Sequence, residues 1–450
     1  MTQPSPHAPG SPLPPAAHGV DARRRRLLLA GLAGLAGGGM LAACGGDGDG
    51  GSEEGGSGGN IGASPPHGGV GATPPQPQPQ PQTVRYETRG REILRNGQRF
   101  FAKGMCYSPQ PIGTSFDGEP WGDFFSDFWQ PIFRRDLPLL KAMGVNSLRL
   151  YSTLPFRLIY DADSARLSHR LFLDACHEAG ISVWAGFPID GGVYPAQDRA
   201  QRERIRVAVG LLAEQMGGHP GVIGFNIANE ANILSTRSDP GFWRWIDDLA
   251  AIAKAGAPDK LTMTCLMDDG MISVGEAESL TPHLDVFGLN VYRGTVTTGM
   301  GSLFSDYARA SARPLLITEF GCPASTRRGA NPVQAVELPD RAAGQADYLR
   351  TQWLDIAREE NRAIASGGYA FAWSDEWWKH GEPLAQTNGS AANPTFPGGY
   401  ADEEWYGIHA VALNPLRAGQ PAQVVGSDGV HHPDILTPRA AARVLAELWK

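Results

Sequence analysis

The chain has 450 residues, 19% of them charged and 42% apolar, the balance of a globular protein with a well-filled core, while length alone leaves the number of domains open. A formal net charge of -8 argues against nucleic acid as a partner, because phosphate binding needs a basic surface, and leaves a neutral polymer as the better match.

Residues 1–43 read as an export signal. Arg23 to Arg26 form a cationic cluster, Leu27 to Ala43 form a weakly apolar stretch rich in Ala and Gly, and the stretch closes on Leu41-Ala42-Ala43-Cys44. The arginines followed by Leu-Leu resemble a twin-arginine signal, and Leu-Ala-Ala-Cys resembles a bacterial lipobox. That resemblance implies cleavage before Cys44 and lipidation of its sulfur. The product is expected to be an exported, membrane-anchored lipoprotein of a bacterium, periplasmic or on the cell surface, meeting the membrane only through its acyl chains.

Residues 44–83 are expected to be a disordered tether. Gly, Ser, Pro, Asp and Gln dominate Gly45 to Gln82, which ends in the Pro-Gln repeat of Pro75 to Gln82, and too little apolar surface is present to offset ordering entropy. Glycine makes the first half flexible, and proline makes the second a stiffer spacer.

Residues 84–450 carry the pattern of a single catalytic domain. Asn96-Gly97 within Leu94 to Phe100 predicts a tight hairpin. Eight short apolar runs follow: Phe100 to Met105, Ser147 to Tyr151, Ser182 to Phe187, Val222 to Ile227, Leu261 to Met267, Val286 to Leu289, Leu315 to Thr318 and Gly368 to Trp373. Segments of helical period separate them, with stripes such as Ile132, Leu137, Leu140 and Met143 before Gly144, and Ile205, Val209, Leu212 and Met216 before Gly217. Alternation of this kind is α/β, and eight βα units close a (β/α)8 TIM barrel. A doubly wound open sheet is the competing architecture, and its Gly-rich phosphate turn is missing after the first run. The domain exceeds the ~250 residues of a bare barrel. Extended loops are therefore expected at Gln110 to Gln130, Gly381 to Tyr400 and Ala412 to Pro433, and an apolar-striped helix over Pro438 to Trp449.

Cys106, Cys176, Cys265 and Cys322 match no metal spacing, and burial as small apolar residues is favoured over disulfide pairing. The histidines do not cluster in any ligand spacing, so neither metal nor cofactor is implied.

The chemistry is expected at two strand ends. Gly224-Phe225-Asn226-Ile227-Ala228-Asn229-Glu230 is an apolar strand that stops abruptly in an amide and a carboxylate, and Pro314-Leu315-Leu316-Ile317-Thr318-Glu319 has the same form. An Asn-Glu helix cap is the structural alternative for the first. By count these are the fourth and seventh strands, whose ends face one another across a barrel mouth. Two carboxyls meeting there suit retaining glycoside hydrolysis, in which they lie about 5 to 5.5 Å apart, one protonating the leaving oxygen and the other attacking the anomeric carbon.

Asn229-Glu230 and Glu319 resemble the acid/base and nucleophile motifs of the retaining TIM-barrel glycosidases of clan A. Phe100 to Pro109, Arg135 to Tyr151 and Glu319-Phe320-Gly321-Cys322 look like the family 72 β-1,3-glucanosyltransferases. His219 to Phe225 and Glu404 to Ile408 are similar to the barrels of families 2 and 5. The resemblance implies that Glu230 is acid/base and Glu319 nucleophile. It also implies that Arg149 keeps Glu319 ionised, Asn229 bonds the sugar 2-hydroxyl, Tyr292 donates to Glu319, and Trp373 offers its face to a sugar ring. Trp121, Trp129, Trp377, Trp378 and Trp405 are candidates for further subsites or packing. Asp268-Asp269 and Asp375-Glu376 are read as solvated loop charges rather than sugar contacts.

The reading is a retaining glycosidase that hydrolyses or transglycosylates a β-glucan-like polysaccharide. The rival is a catalytically inactive carbohydrate-binding surface lipoprotein.

Overall fold

The computed structural model describes residues 84–114, 122–154, 168–189, 199–233, 238–388, 392–417 and 430–450. The expected signal segment, the tether, Cys44 and Trp121 lie outside the described residues.

Three short strands come first, β1 (Tyr86–Arg89), β2 (Glu92–Arg95) and β3 (Gln98–Phe100), as an antiparallel sheet in the order β1-β2-β3. Asn96 and Gly97 make the β2–β3 turn with φ of 51° and 75°, the two left-handed positions that Asn-Gly supplies at little cost.

Eight parallel strands then close a barrel: β4 (Ala102–Cys106), β5 (Ser147–Arg149), β6 (Ser182–Gly186), β7 (Val222–Asn229), β8 (Leu261–Met267), β9 (Val286–Asn290), β10 (Leu315–Phe320) and β13 (Ala365–Ala370). Their order around the wall is β10-β13-β4-β5-β6-β7-β8-β9, so every strand has two partners and the open-sheet alternative falls away. The intervening hairpin of β11 (Ser325–Arg328) and β12 (Gln334–Glu337) stands outside the barrel, as does the pair β14 (His409–Ala412) and β15 (Ile435–Pro438).

The helices bury the stripes their spacing predicts. Gln130–Ala142 packs Ile132, Leu137 and Leu140 inward, and Arg199–Gly217 packs Ile205, Val209, Leu212 and Met216. The terminal helix Ala440–Trp449 lies against Pro339–Ile356, with Trp449 and Trp353 ring centroids 5.3 Å apart.

Inside the barrel, small residues make room for large ones. A Cβ on Gly224 would lie 2.0 Å from the Leu261 carbonyl oxygen and 2.8 Å from the Trp184 ring, and one on Gly104 would enter the Tyr369 ring. The small sheet covers the end where the barrel strands begin: the Tyr86 hydroxyl is hydrogen-bonded to that of Ser182, and the Ile93 N–H donates to Ser366 Oγ at 3.2 Å. Tyr86, Ile93 and Phe100 thereby join the same apolar cluster as Trp184 and Met263 of the interior.

Candidate active site

The opposite end gathers the polar residues. Glu319, 5% exposed near the end of β10, is held by three donors. Arg149 Nη1 and the Tyr151 hydroxyl donate to its Oε1 at 2.6 and 2.7 Å, and the Tyr292 hydroxyl donates to Oε2. Three donors suit an acceptor-only carboxylate. Burial raises the Tyr292 phenol well above its usual range, with the Glu319 charge adding to it. Burial likewise raises Tyr151 against the opposing pull of Arg149. Both phenols therefore keep the protons they donate.

Arg149 is wholly buried at the end of β5, and its guanidinium lies 4.3 Å from the Tyr151 ring centroid. Burial opposes its charge, but the titratable groups packed around it, the Glu319 carboxylate among them, outweigh burial and hold its pKa well above the ordinary value. Its Nη2 donates to Asn229 Oδ1, which joins the end of β5 to the end of β7.

Asn290 completes the link to Glu230. Thr318 Oγ1 donates to Asn290 Oδ1 at 2.8 Å, which fixes the amide so that Nδ2 faces the other way. That Nδ2 donates to Glu230 Oε1 at 3.1 Å and to Asn229 Oδ1 at 3.2 Å. A continuous polar chain thus runs from Glu230 through Asn290, Asn229 and Arg149 to Glu319. Glu230 itself has φ of 46°, a left-handed conformation that costs an L side chain about 1 kcal/mol or more and that clusters at functional positions. Its N–H donates to the Cys265 carbonyl at 2.8 Å, which pins the residue just past the last pair of β7 and β8.

Of the residues singled out in the sequence, the structure brings Glu230, Glu319, Arg149, Asn229 and Tyr292 together. It does not bring Trp373. Strand β13 stops at Ala370, and although the Phe371 N–H still donates to the Phe320 carbonyl and the Trp373 N–H to that of Cys106, the two rings belong to different clusters. Trp373 is fully buried among the helix-facing residues, its ring centroid 4.1 Å from that of His409. Phe371 is the aromatic at the mouth, in edge contact with Tyr151, Tyr292 and Tyr406 at centroid distances of 6.3, 6.4 and 5.1 Å.

The loop acids are also corrected. Asp268 is buried against Arg293, whose Nη2 donates to it at 2.6 Å, and Asp269 accepts from the Ser273 hydroxyl at 2.6 Å. Asp375 pairs with Arg439 at 2.7 Å and Glu376 with Lys379 at 2.9 Å, both carboxylates buried. Cations later in the chain make these burials possible. Trp129 and Trp405 are packing residues, the first against Phe124 and the second donating its indole N–H to the Thr387 carbonyl. All four described cysteines are buried and unpaired. Among the described residues no group of three or more His, Cys, Asp or Glu is placed to hold a metal.

No family model matches the chain. It is similar to curated fungal proteins named 1,3-beta-glucanosyltransferase. It is 23% identical to gas5 of Schizosaccharomyces pombe over 68% of this chain and 59% of that protein. It is 22% identical to GAS5 of Saccharomyces cerevisiae over 72% of this chain and 66% of that protein. The chain spans between 42% and 66% of the length of the curated relatives it matches. Among solved structures it is similar to a GH2 beta-galacturonidase from Eisenbergiella tayi, with a TM-score of 0.51 and 16% identity over 81% of this chain and 54% of that one. A beta-D-glucuronidase of Dictyoglomus thermophilum gives 0.50 and 16% over 81% and 53%. These likenesses support the barrel fold.

The relatives overturn one expectation. The curated proteins matched are fungal, including those of Candida albicans and Aspergillus fumigatus, and they point away from a bacterial membrane-anchored lipoprotein. In a stretch so rich in Ala, Leu and Gly, Leu-Ala-Ala-Cys arises readily from composition alone.

Proposed function

We propose that this chain, a distant sequence relative of the 1,3-beta-glucanosyltransferases, is a retaining glycosidase or transglycosidase of β-linked glucan working through a covalent glycosyl-enzyme intermediate. The observation that carries the proposal is the polar chain of the mouth, in which one carboxylate, Glu319, takes three donors while a second, Glu230, is tied to it through Asn290, Asn229 and Arg149. Glu319 is assigned the nucleophile. Donors on both its oxygens orient the carboxylate, and Arg149 balances its charge before attack and loses that partner's full charge once the sugar ester forms. Glu230 is assigned the acid that protonates the leaving oxygen and then the base that activates the incoming water or sugar hydroxyl.

Asn229 accepts two hydrogen bonds through Oδ1, so its NH2 group is the end available to a sugar hydroxyl, a contact that strengthens in the transition state. Tyr151 and Tyr292 hold the nucleophile, and Phe371 braces both rings. The substrate is assigned to β-1,3-glucan on the names of the relatives.

Glu319→Gln is expected to abolish turnover while laminari-oligosaccharide binding survives. Product sizing on β-1,3-glucan separates the acceptors: longer products mean transfer, and shorter products alone mean hydrolysis. A wild-type protein that turns over no β-glucan at all defeats the proposal.

A further inference from the structure

The loop after β13 carries a charged pair that the chemistry above leaves unused. Glu376 Oε2 and Lys379 Nζ are 2.9 Å apart, with side chains 4% and 16% exposed. The ammonium lies 4.4 Å from the centroid of Phe371, the ring that contacts Tyr151 and Tyr292, and 5.6 Å from that of Trp378. The pair therefore borders the wall that holds Glu319, and both members feel the Glu319 charge.

The loop is fixed in place. Asp375 is clamped by Arg439, the Glu376 N–H donates to the Glu404 carbonyl at 3.2 Å, and the His380 N–H donates to Glu404 Oε1 at 2.8 Å. A lysine ammonium has three donors. The charge is paired with Glu376 and rests on an aromatic face, so the ammonium is held in place with donors left for a ligand.

Resting on the function proposed above, we infer that Lys379 and Glu376 form a specificity-determining pair: Lys379 donates to hydroxyls of the bound glucan, and Glu376 cancels its charge so that the site takes neutral rather than carboxylate-bearing sugars. Burying an uncancelled cation beside a sugar site favours an anion there, because the interaction gains strength as water is excluded. Glu376 supplies that anion from within the protein. Glu403 is a second acid within electrostatic reach of Lys379, and it limits how far removal of Glu376 alone unbalances the site.

The test uses the full chain carrying Glu319→Gln, so that binding is read without turnover. Titration calorimetry is run with laminarihexaose and with the same oligosaccharide oxidised at C6 to uronic acids, alongside thermal melts. Added Lys379→Met is expected to weaken laminarihexaose at least tenfold, and added Lys379→Arg to recover most of that loss. Added Glu376→Gln is expected to improve binding of the oxidised oligosaccharide at least tenfold relative to the neutral one. Laminarihexaose binding within twofold of the parent in a folded Lys379→Met protein overturns the inference and leaves the proposed function standing. If that variant does not fold, the near-isosteric Glu376→Gln decides, and an unchanged preference for the neutral oligosaccharide overturns it. A parent that binds no laminarihexaose, together with a wild type that turns over no β-glucan, defeats both.

Discussion

Two phenols and a guanidinium surround Glu319, and only part of that set was legible beforehand. Asn229 stood out because it ends an apolar run, where a buried strand has no use for polarity, whereas Arg149 and Tyr292 were named by the resemblance to the clan A glycosidases. Tyr151 follows the same run as Arg149, but an aromatic at a strand end reads as packing. Its hydroxyl on Glu319 is visible only in three dimensions. Removing either phenolic oxygen takes away one hydrogen bond to a charged group, about 1.5–3 kcal/mol. Tyr151→Phe and Tyr292→Phe are each expected to lower kcat/KM by about 10- to 100-fold, measured on a laminari-oligosaccharide, with a melting temperature lower by only a few degrees. Asn290 escaped notice for another reason: an amide ending an apolar run has a structural reading as good as its functional one, and its orientation depends on Thr318 from the neighbouring strand.

Among elements, the eight apolar runs were each found as barrel strands, because burial on both faces leaves a dense signature of Val, Ile, Leu and Phe. The eighth was misplaced. Its true start, Ala365-Ser366-Gly367-Gly368, reads as a loop, and the shifted frame made Trp373 the terminal aromatic in place of Phe371. Glycines in the wall are there because large residues are opposite. Gly224→Ala pushes a methyl into the Leu261 carbonyl and the Trp184 ring, and a loss of about 1–3 kcal/mol is expected in urea denaturation. A second element-scale prediction concerns His169, which precedes the helix Arg170–Ala179. Its ring is buried and hydrogen-bonded to Asp123 at 3.0 Å and Gln215 at 2.9 Å. Burial lowers its pKa, but the charge and hydrogen bond of Asp123, aided by Gln215 and Asp127, outweigh burial and leave the folded value above the ordinary 6.5. A raised folded-state pKa contributes stability that is complete below the unfolded value and lost as pH rises through the folded one. The melting difference between wild type and His169→Gln is therefore expected to be largest near about pH 6 and to shrink toward about pH 9.

At the scale of the molecule, cohesion among the described residues comes from the packed barrel and its helices rather than from cross-links. Cys106, Cys176, Cys265 and Cys322 are buried thiols, and burial pushes Cys106 up to about 12. Dithiothreitol is expected to leave the melting temperature unchanged, since there is no described disulfide to reduce. The small β1-β2-β3 sheet sets a last constraint. With Tyr86, Ile93 and Phe100 packed onto the interior cluster at one end, and the barrel itself a filled core and not a pore, no polymer can be drawn through it like thread. On the proposed function, a long glucan would reach Glu230 and Glu319 only from the face that carries them, lying across it.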